Sequence, residues 1–478
     1  MEIKEADIRF IVERVIDSLG KEVLRPDNKV PEGLSMRGEG IFDTVDEAIK
    51  AARKAQGKLM ELPLDQRRNI IRAIRKAVLQ EVETLSRMAV EETGMGRFED
   101  KIEKNRLAAL KTPGVEDLEP AVFTDEHGMT LVERAPYGVI ASIIPSTNPT
   151  STVVNNTISM VSAGNAVVFH PHPAAKKCSC WAVSLVNRAI VGAGGPENLV
   201  CAIGNPTLDS AQTLMKHPDV RLLVVTGGPA VVRVAMGSGK KVIAAGPGNP
   251  PCVVDETADL VKAGHDIVCG AGFDNNIVCV CEKEILVVAE VADRLQEEME
   301  RNGGFRLNKK QMEEVTRLVI DEPGGPGREG KPRKEWVGKH AHLIAREVGL
   351  NVPESTRILF GEVDREHPLV WTEQLLPVIP VVRFPNVEEA MHFAVECEHG
   401  FRHTAIMHSR NIASLSKMAK MMDCSVFVKN GPCYSGLGKG GAGFASFTIA
   451  TPTGEGLTRA RTFTRERRCT LVDYFRIV

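Results

Sequence analysis

The sequence predicts an α/β protein built on parallel sheets, and three observations carry the prediction. Short apolar runs alternate with helical segments from Tyr137 onward, at Gly138–Ile144, Ala166–Phe169, Leu199–Ile203, Leu222–Val225 and Val242–Ala244. These runs are apolar throughout, as in strands covered on both faces, and the helices between them suit right-handed crossovers of Rossmann type. A second α/β region begins near Pro251, with runs at Val280–Val288, Val378–Val382 and Ser425–Val428. At 478 residues the chain has room for two to four domains or one large α/β unit with additions.

Taken in order, residues 6 to 19 place Ile8, Ile11, Val12, Val15, Ile16 and Leu19 on one face of an amphipathic helix. A polar link runs from Gly20 to about Gly40. A helix tethered in this way is either a docking peptide or packs on its own domain. Helical patterns follow at Thr44–Gly57 and Leu64–Thr93. Two stretches read as sheet-edge arms, Ala121–Glu133 with a turn at Asp125–Gly128, and Thr470–Val478. Such arms pair with another subunit or fold back on their own.

Sixty basic against 62 acidic residues leave a formal charge of -2, so no global field draws the chain to nucleic acid or an anionic membrane. Its apolar stretches fall short of the ~18 residues that span a bilayer, and the charged N-terminus lacks a signal-peptide core. A cytoplasmic protein with small-molecule partners is expected. The 11 cysteines are scattered, several within apolar runs (Cys201, Cys252, Cys424), as buried thiols in a reducing compartment would be. Cys178/Cys180 and Cys279/Cys281 lack the second pair that a zinc site needs, so no metal is expected.

Two G-x-G-x-x-G matches, Gly325–Gly330 and Gly438–Gly443, do not sit between a strand and a helix and read as chance. Gly237-Ser238-Gly239-Lys240 fails as a P-loop because Val234 and Lys241 occupy required positions. Thr226-Gly227-Gly228-Pro229 is the candidate dinucleotide turn, since glycines admit a ligand to the backbone and Pro229 suits a helix start. From that motif alone an ordinary strand-to-helix turn is the commoner reading. Gly272-Phe273-Asp274-Asn275-Asn276-Ile277-Val278-Cys279 delivers a thiol to the start of the run Val280–Val288. A lone cysteine of this kind is more often packing. The balance shifts with Pro145-Ser146-Thr147-Asn148-Pro149-Thr150, which follows a strand at the edge where α/β sites form. An Asn148 amide and the Cys279 N–H would together make an oxyanion hole.

These residues resemble the aldehyde dehydrogenase superfamily over nearly the whole chain from about Gly40. The likeness is greatest to its CoA-acylating branch, the propionaldehyde dehydrogenases of propanediol-utilising bacterial microcompartments and their ethanolamine-pathway acetaldehyde dehydrogenase relatives. The matching stretches include Glu92–Gly96, Thr112–Leu118, Pro145–Thr150, Thr226–Pro229, Gly248–Leu260, Asn275–Cys279, His403–Ser409, Val428–Pro432 and Ile449–Gly456. The resemblance implies a Rossmann-type cofactor domain, an α/β catalytic domain and oligomerisation arms. The corresponding division is 1–20, a candidate encapsulation peptide; 21–39, a linker; 40–120 with 137–250, dinucleotide and CoA binding; 121–136 with 465–478, arms; and 251–464, catalytic.

By the same resemblance Cys279 is the nucleophile, Asn148 the oxyanion amide and His403 a histidine near the active site that handles CoA or the thioester. Pro145, Ser146, Thr147, Thr226, Gly227 and Gly228 fall beside the cofactor, and Glu373 on the glutamate that holds the nicotinamide ribose. His170-Pro171-His172-Pro173 replaces the K-P-S-E type motif of hydrolytic relatives, which leaves NAD as the expected cofactor and NADP as the alternative. Cys281 is the rival nucleophile without the N-N-x-x-C spacing, and His408 reads as polar packing.

Hydrolytic relatives carry E-L-G-G-K, whose glutamate activates water, where this chain reads Ala244-Ala245-Gly246-Pro247-Gly248. Water, with pKa ~15.7, is a poor nucleophile without a base, whereas a thiol near pKa ~8.5 already holds some thiolate at neutral pH. Release of the acyl group to CoA is therefore expected, and the resemblance implies oxidation of a short-chain aldehyde, propionaldehyde first, with NAD and CoA to acyl-CoA and NADH, inside a microcompartment lumen. The expected assembly is a homo-oligomer, dimer or tetramer, with a shell protein met through the N-terminal helix. The alternatives are a hydrolytic aldehyde dehydrogenase and a non-catalytic compartment scaffold.

Overall fold

The computed structural model describes residues 39–478, so the N-terminal helix and most of the linker expected from the sequence lie outside the described residues. Each of the five apolar runs of the first region forms a strand: Val139–Ile143, Ala166–His170, Val200–Ile203, Val220–Thr226 and Lys241–Ala245. With Ile41–Phe42 they make a six-stranded parallel sheet. Its order is Ile41–Phe42, Val200–Ile203, Ala166–His170, Val139–Ile143, Val220–Thr226, Lys241–Ala245. From Val139–Ile143 the chain first builds outward on one side and then returns to build on the other. A switch point therefore lies between Val139–Ile143 and Val220–Thr226, where open α/β sheets leave a crevice at the strands' carboxyl ends.

The second sheet has seven parallel strands in the order Gly304–Leu307, Ile358–Glu362, Val378–Phe384, Glu284–Val288, Pro251–Val254, Thr404–His408, Val426–Lys429. Only three of these were legible as apolar runs. One expectation needs correction: Val280–Cys281 form a turn, and the strand begins at Glu284. The cysteine therefore stands on an irregular loop, not at a strand's first residue.

The predicted helix Leu64–Thr93 is two helices, Leu64–Gln80 and Val82–Thr93, meeting at Glu81. No Pro or Gly marks the break, so hydrophobic period alone does not reveal it. The earlier helix runs Val45–Glu61, with Thr44 accepting the Glu47 N–H as its cap. Ala48, Ile49, Ala52, Ala55 and Leu59 of its buried face join one apolar core that also takes in Ile140, Val168, Val224, Val254, Ile285 and Val381 from both sheets.

The arms form a separate antiparallel sheet. Ala121–Asp125 pairs with Gly128–Pro136, which pairs along its other edge with Thr464–Val472. The C-terminal strand thus starts and ends six residues earlier than the apolar run suggested. Both G-x-G-x-x-G matches fall in irregular loops, Gly325–Gly330 between two short paired strands and Gly438–Gly443 after a turn of 3₁₀ helix.

Buried Asn165 ties the arms to the first sheet. Its Oδ1 accepts the N–H groups of Tyr137 and Gly138 at 2.7 and 3.0 Å. Its Nδ2 donates to the carbonyls of Met160 and Phe463 at 3.2 and 2.9 Å. Asn165→Ala removes these four bonds, the Met160 carbonyl alone keeping the backbone N–H of residue 165, and at ~1–3 kcal/mol for a buried group left unpaired we expect a loss of about 2–4 kcal/mol. A lowered thermal unfolding transition checks this; an unchanged one contradicts it.

Candidate active site

Four adjacent strands of the second sheet, Val378–Phe384, Glu284–Val288, Pro251–Val254 and Thr404–His408, run parallel. Glu373, Cys279, Gly248 and His403 each precede one of them, so the sheet order gathers all four along a single edge. Contacts agree with that placement. Gly248 N–H donates to Glu373 Oε1 at 3.1 Å. A Cβ built on Gly248 would stand 2.9 Å from His403 Cγ and 3.0 Å from the Cys279 carbonyl oxygen. Only glycine fits between them.

The loop before Cys279 is unusual. Asp274, Asn275 and Asn276 all have positive φ, at 49°, 54° and 67°. L-residues avoid this region, and Asn and Asp tolerate it best, which accounts for the residue types of the N-N-x-x-C stretch. Their buried side chains hold the turn. Asp274 pairs with Lys104, pairs with Lys101 at 3.1 Å and accepts the Arg97 N–H at 2.7 Å. Asn275 donates to the Gly338 carbonyl at 2.8 Å, and Asn276 to those of Ala271 and Glu282 at 2.8 and 2.9 Å. Lys283 donates to the Asn276 carbonyl at 2.8 Å.

Cys279 is partly exposed amid buried neighbours. Burial pushes its thiol up to about 12, with the Glu373 carboxylate acting in the same direction and Lys283 against it. Burial likewise raises Glu373 to about 7. Burial, helped by the Lys283 charge, lowers His403 to about 4, so its imidazole is neutral at physiological pH. His403 Nδ1 meets Thr404 Oγ1 at 2.8 Å, while Nε2, buried, has no hydrogen-bond partner among the described residues. Cys281 is wholly buried in the core with Sγ 3.7 Å from the Phe273 carbonyl oxygen. A thiol so placed presents no face to a substrate.

The first sheet supplies the other wall. Pro145, Ser146 and Thr147 are half-buried in the loop after Val139–Ile143, and Asn148 caps the helix Pro149–Ser162. Asn148 Oδ1 accepts from Lys104 Nζ at 2.6 Å, and its Nδ2 approaches Thr147 Oγ1 at 3.2 Å. Thr226 Oγ1 bonds Thr448 Oγ1 at 3.0 Å, and Gly227 and Gly228 lead into the helix Pro229–Met236 with Pro229 in its first turn. Gly228 is exposed, and nothing lies within 4 Å of where its Cβ would stand. A dinucleotide fits this turn: open backbone at the sheet's switch point, beside a helix N-terminus. His170 and Pro171 are buried, and the Nε2 of His170 is engaged by Ser210 Oγ at 2.8 Å. The imidazole thus packs inward, leaving the neighbouring backbone and exposed Pro173 as the surface that stretch presents.

Sequence reasoning missed Lys104, Asp274, Lys283 and the steric role of Gly248. Lys101 and Lys104 lie on the helix Phe98–Lys111 among many charged residues, and nothing in the pattern marks those two as buried.

The chain matches the aldehyde dehydrogenase family model over residues 39–313. It is 50% identical over 480 residues to the acetaldehyde dehydrogenase (acetylating) EutE of Salmonella typhimurium, covering 100% of both chains. The structure of Rhodopseudomonas palustris propionaldehyde dehydrogenase with bound CoA and an acylated cysteine superposes with a TM-score of 0.88. Identity there is 47%, over 91% of this chain and 98% of that one. A propionaldehyde dehydrogenase from the Clostridium phytofermentans fucose utilisation bacterial microcompartment gives a TM-score of 0.89 at 46% identity, over 92% of this chain and 100% of that one.

Gly248→Ala drives a methyl into His403 and the Cys279 carbonyl. Because a displacement of about 1 Å in a reacting group costs on the order of 10²-fold, we expect turnover to fall by about that factor while the fold persists. Steady-state kinetics beside circular dichroism measure it, and wild-type turnover in this variant would contradict the packing.

Proposed function

The chain belongs to the aldehyde dehydrogenase family, and from that premise we propose that it oxidises a short-chain aldehyde, propionaldehyde first, to the acyl-CoA with NAD and CoA. In this reading the Cys279 thiolate adds to the aldehyde carbonyl. Asn148 Nδ2 and the Cys279 N–H then donate to the oxyanion of the thiohemiacetal. The bound nicotinamide supplies the hydride acceptor, with Thr226, Gly227 and Gly228 beside it and Glu373 on its ribose. Collapse leaves an acyl thioester on Cys279, which the CoA thiol attacks in a ping-pong sequence. His403, neutral and with Nε2 unpartnered among the described residues, is suited to accept a hydrogen bond from that thiol and orient it.

The observation that carries this reading is Ala244. It lies buried in the strand Lys241–Ala245, where hydrolytic relatives place the water-activating glutamate. Glu373 favours hydrolysis as a second reading, because a carboxyl near pKa 7 beside the thiol is a competent base. Its hydrogen bond from Gly248 N–H and its place before Val378–Phe384 suit the ribose role instead.

The exposed apolar arm residues Val122, Phe123, Leu471, Val472, Tyr474 and Phe475 support burial in a homo-oligomer, dimer or tetramer. Among the described residues no helix is long and apolar enough to cross a membrane. The microcompartment source of one structural relative supports a cytoplasmic protein in a compartment lumen; that residues 1–20 deliver it by docking on a shell protein rests on their amphipathic sequence pattern alone.

C2 to C4 aldehydes with NAD or NADP, with and without CoA, test the activity. Sustained NADH formation is expected only with CoA and NAD, and is abolished in Cys279→Ser; many turnovers without CoA would establish hydrolysis. Deleting residues 1–20 is expected to spare activity and abolish packaging, whereas lost activity would make that segment part of the fold.

A further inference from the structure

Lys104 is buried, and its ammonium reaches two loops at once. Nζ donates to Asn148 Oδ1 at 2.6 Å, lies 3.5 Å from the Thr147 carbonyl oxygen, and pairs with Asp274 Oδ2. Asp274 belongs to the left-handed turn five residues before Cys279. Asn148 ends the loop from the other sheet. Lys104 itself rides on Phe98–Lys111, a helix outside both sheets. One cation thus spans the two pieces of chain that supply the oxyanion donors.

We propose that Lys104 is the positioning residue of the oxyanion site, its ammonium, anchored by Asp274, fixing the Asn148 carboxamide through Oδ1, while Lys101 holds Asp274 and the cysteine loop independently. The inference rests on the reading of Asn148 as the oxyanion donor.

An ammonium only donates, whereas a carboxamide presents one accepting oxygen and an NH₂ with two donors. Contact with Lys104 therefore decides the amide flip: oxygen toward the cation, Nδ2 away from it. Thr147 Oγ1 at 3.2 Å engages one Nδ2 hydrogen, leaving the second for an oxyanion. Accepting from a full charge also polarises the amide and strengthens its N–H donation, by the cooperativity of linked hydrogen bonds.

The local charges point the same way. Lys101 and Lys104 both pair with buried Asp274, with Asp100 accepting the Asp274 N–H at 2.9 Å, so two cations stand close to the oxyanion site in a medium that screens poorly. A developing oxyanion on the substrate is attracted to them. Burial and Lys101 lower the Lys104 pKa to about 8, and Asp274 acts against them, keeping the ammonium charged at neutral pH.

A double-mutant cycle on the full chain tests the proposal, read as the first-turnover rate of NADH formation from propionaldehyde and NAD without CoA. Loss of one oxyanion donor typically costs 10²–10³-fold. Lys104→Met and Asn148→Ala are each expected to slow the step by about 10²-fold, and the double variant to be no slower than Asn148→Ala alone. Alkylation of Cys279 by iodoacetamide and the aldehyde KM stay near wild type in Lys104→Met. Lys104→Gln, whose amide still donates to Asn148 Oδ1, recovers part of the rate. Should Lys104→Met fail to fold, the same cycle is run with Lys104→Gln.

The proposal is overturned if Lys104→Met keeps the wild-type rate, or if its loss multiplies undiminished in the Asn148→Ala background, which would make the lysine a structural partner of Asp274 alone. This half-reaction precedes acyl transfer, so its outcome does not depend on whether thiol or water takes the acyl group. Asn148→Ala at full rate would instead remove the oxyanion role itself.

Discussion

Three successive residues in the left-handed region, Asp274, Asn275 and Asn276, are the constraint on which the site depends. Backbone of this kind costs of order 1–3 kcal/mol per residue and persists only where its surroundings over-determine it. Here the side chains of the strained residues do so themselves. Each is buried and bonded to a different part of the chain: Asp274 to the helix Phe98–Lys111 and its cap, Asn275 to Gly338, Asn276 to both ends of its own loop. The turn lets the chain leave the helix Leu260–Ala271, present one thiol, and enter the strand Glu284–Val288 within twelve residues.

The two sheets explain why the thiol is met by the right partners. One offers the carboxyl ends of Val139–Ile143 and Val220–Thr226, at its switch point; the other offers the amino ends of four neighbouring strands. The five residues 246–250 join Lys241–Ala245 to Pro251–Val254 directly, and Gly248 in that link touches the neighbourhoods of Cys279, His403 and Glu373 together. The bare hydrogen at Gly248 is what lets Cys279, His403 and Glu373 gather around that link.

Much of this was readable beforehand. Five of the first sheet's six strands announced themselves because burial on both faces makes their centres apolar, whereas Ile41–Phe42 was not read as a strand, and motif spacing singled out Cys279 over Cys281. The second sheet was less legible: in Ile358–Glu362 and Thr404–His408 the apolar stretch is only three residues long and is bounded by Gly and Glu or by Thr and His, too short to stand out. The break at Glu81 lacks a breaker residue, and the strand after Cys279 begins later than its hydrophobicity suggests because Val280 and Cys281 pack as a turn. Lys104 was invisible for a deeper reason. A buried cation is defined by partners far off in sequence, Asn148 44 residues away and Asp274 in the other sheet's loop.

In the protein as described, burial holds the Cys279 thiol largely protonated, and Glu373 adds to the effect. A cationic nicotinamide placed beside it would act in the opposite direction, coupling thiolate formation to cofactor binding. The central claim is that Cys279 then carries an acyl group that a thiol removes and water does not. Mass spectrometry of enzyme incubated with propionaldehyde and NAD measures this directly. The account predicts a propionyl adduct on the peptide containing Cys279, persistent in buffer and discharged as propionyl-CoA when CoA is added. An adduct on another residue, or one lost as quickly to buffer as to CoA, would contradict it.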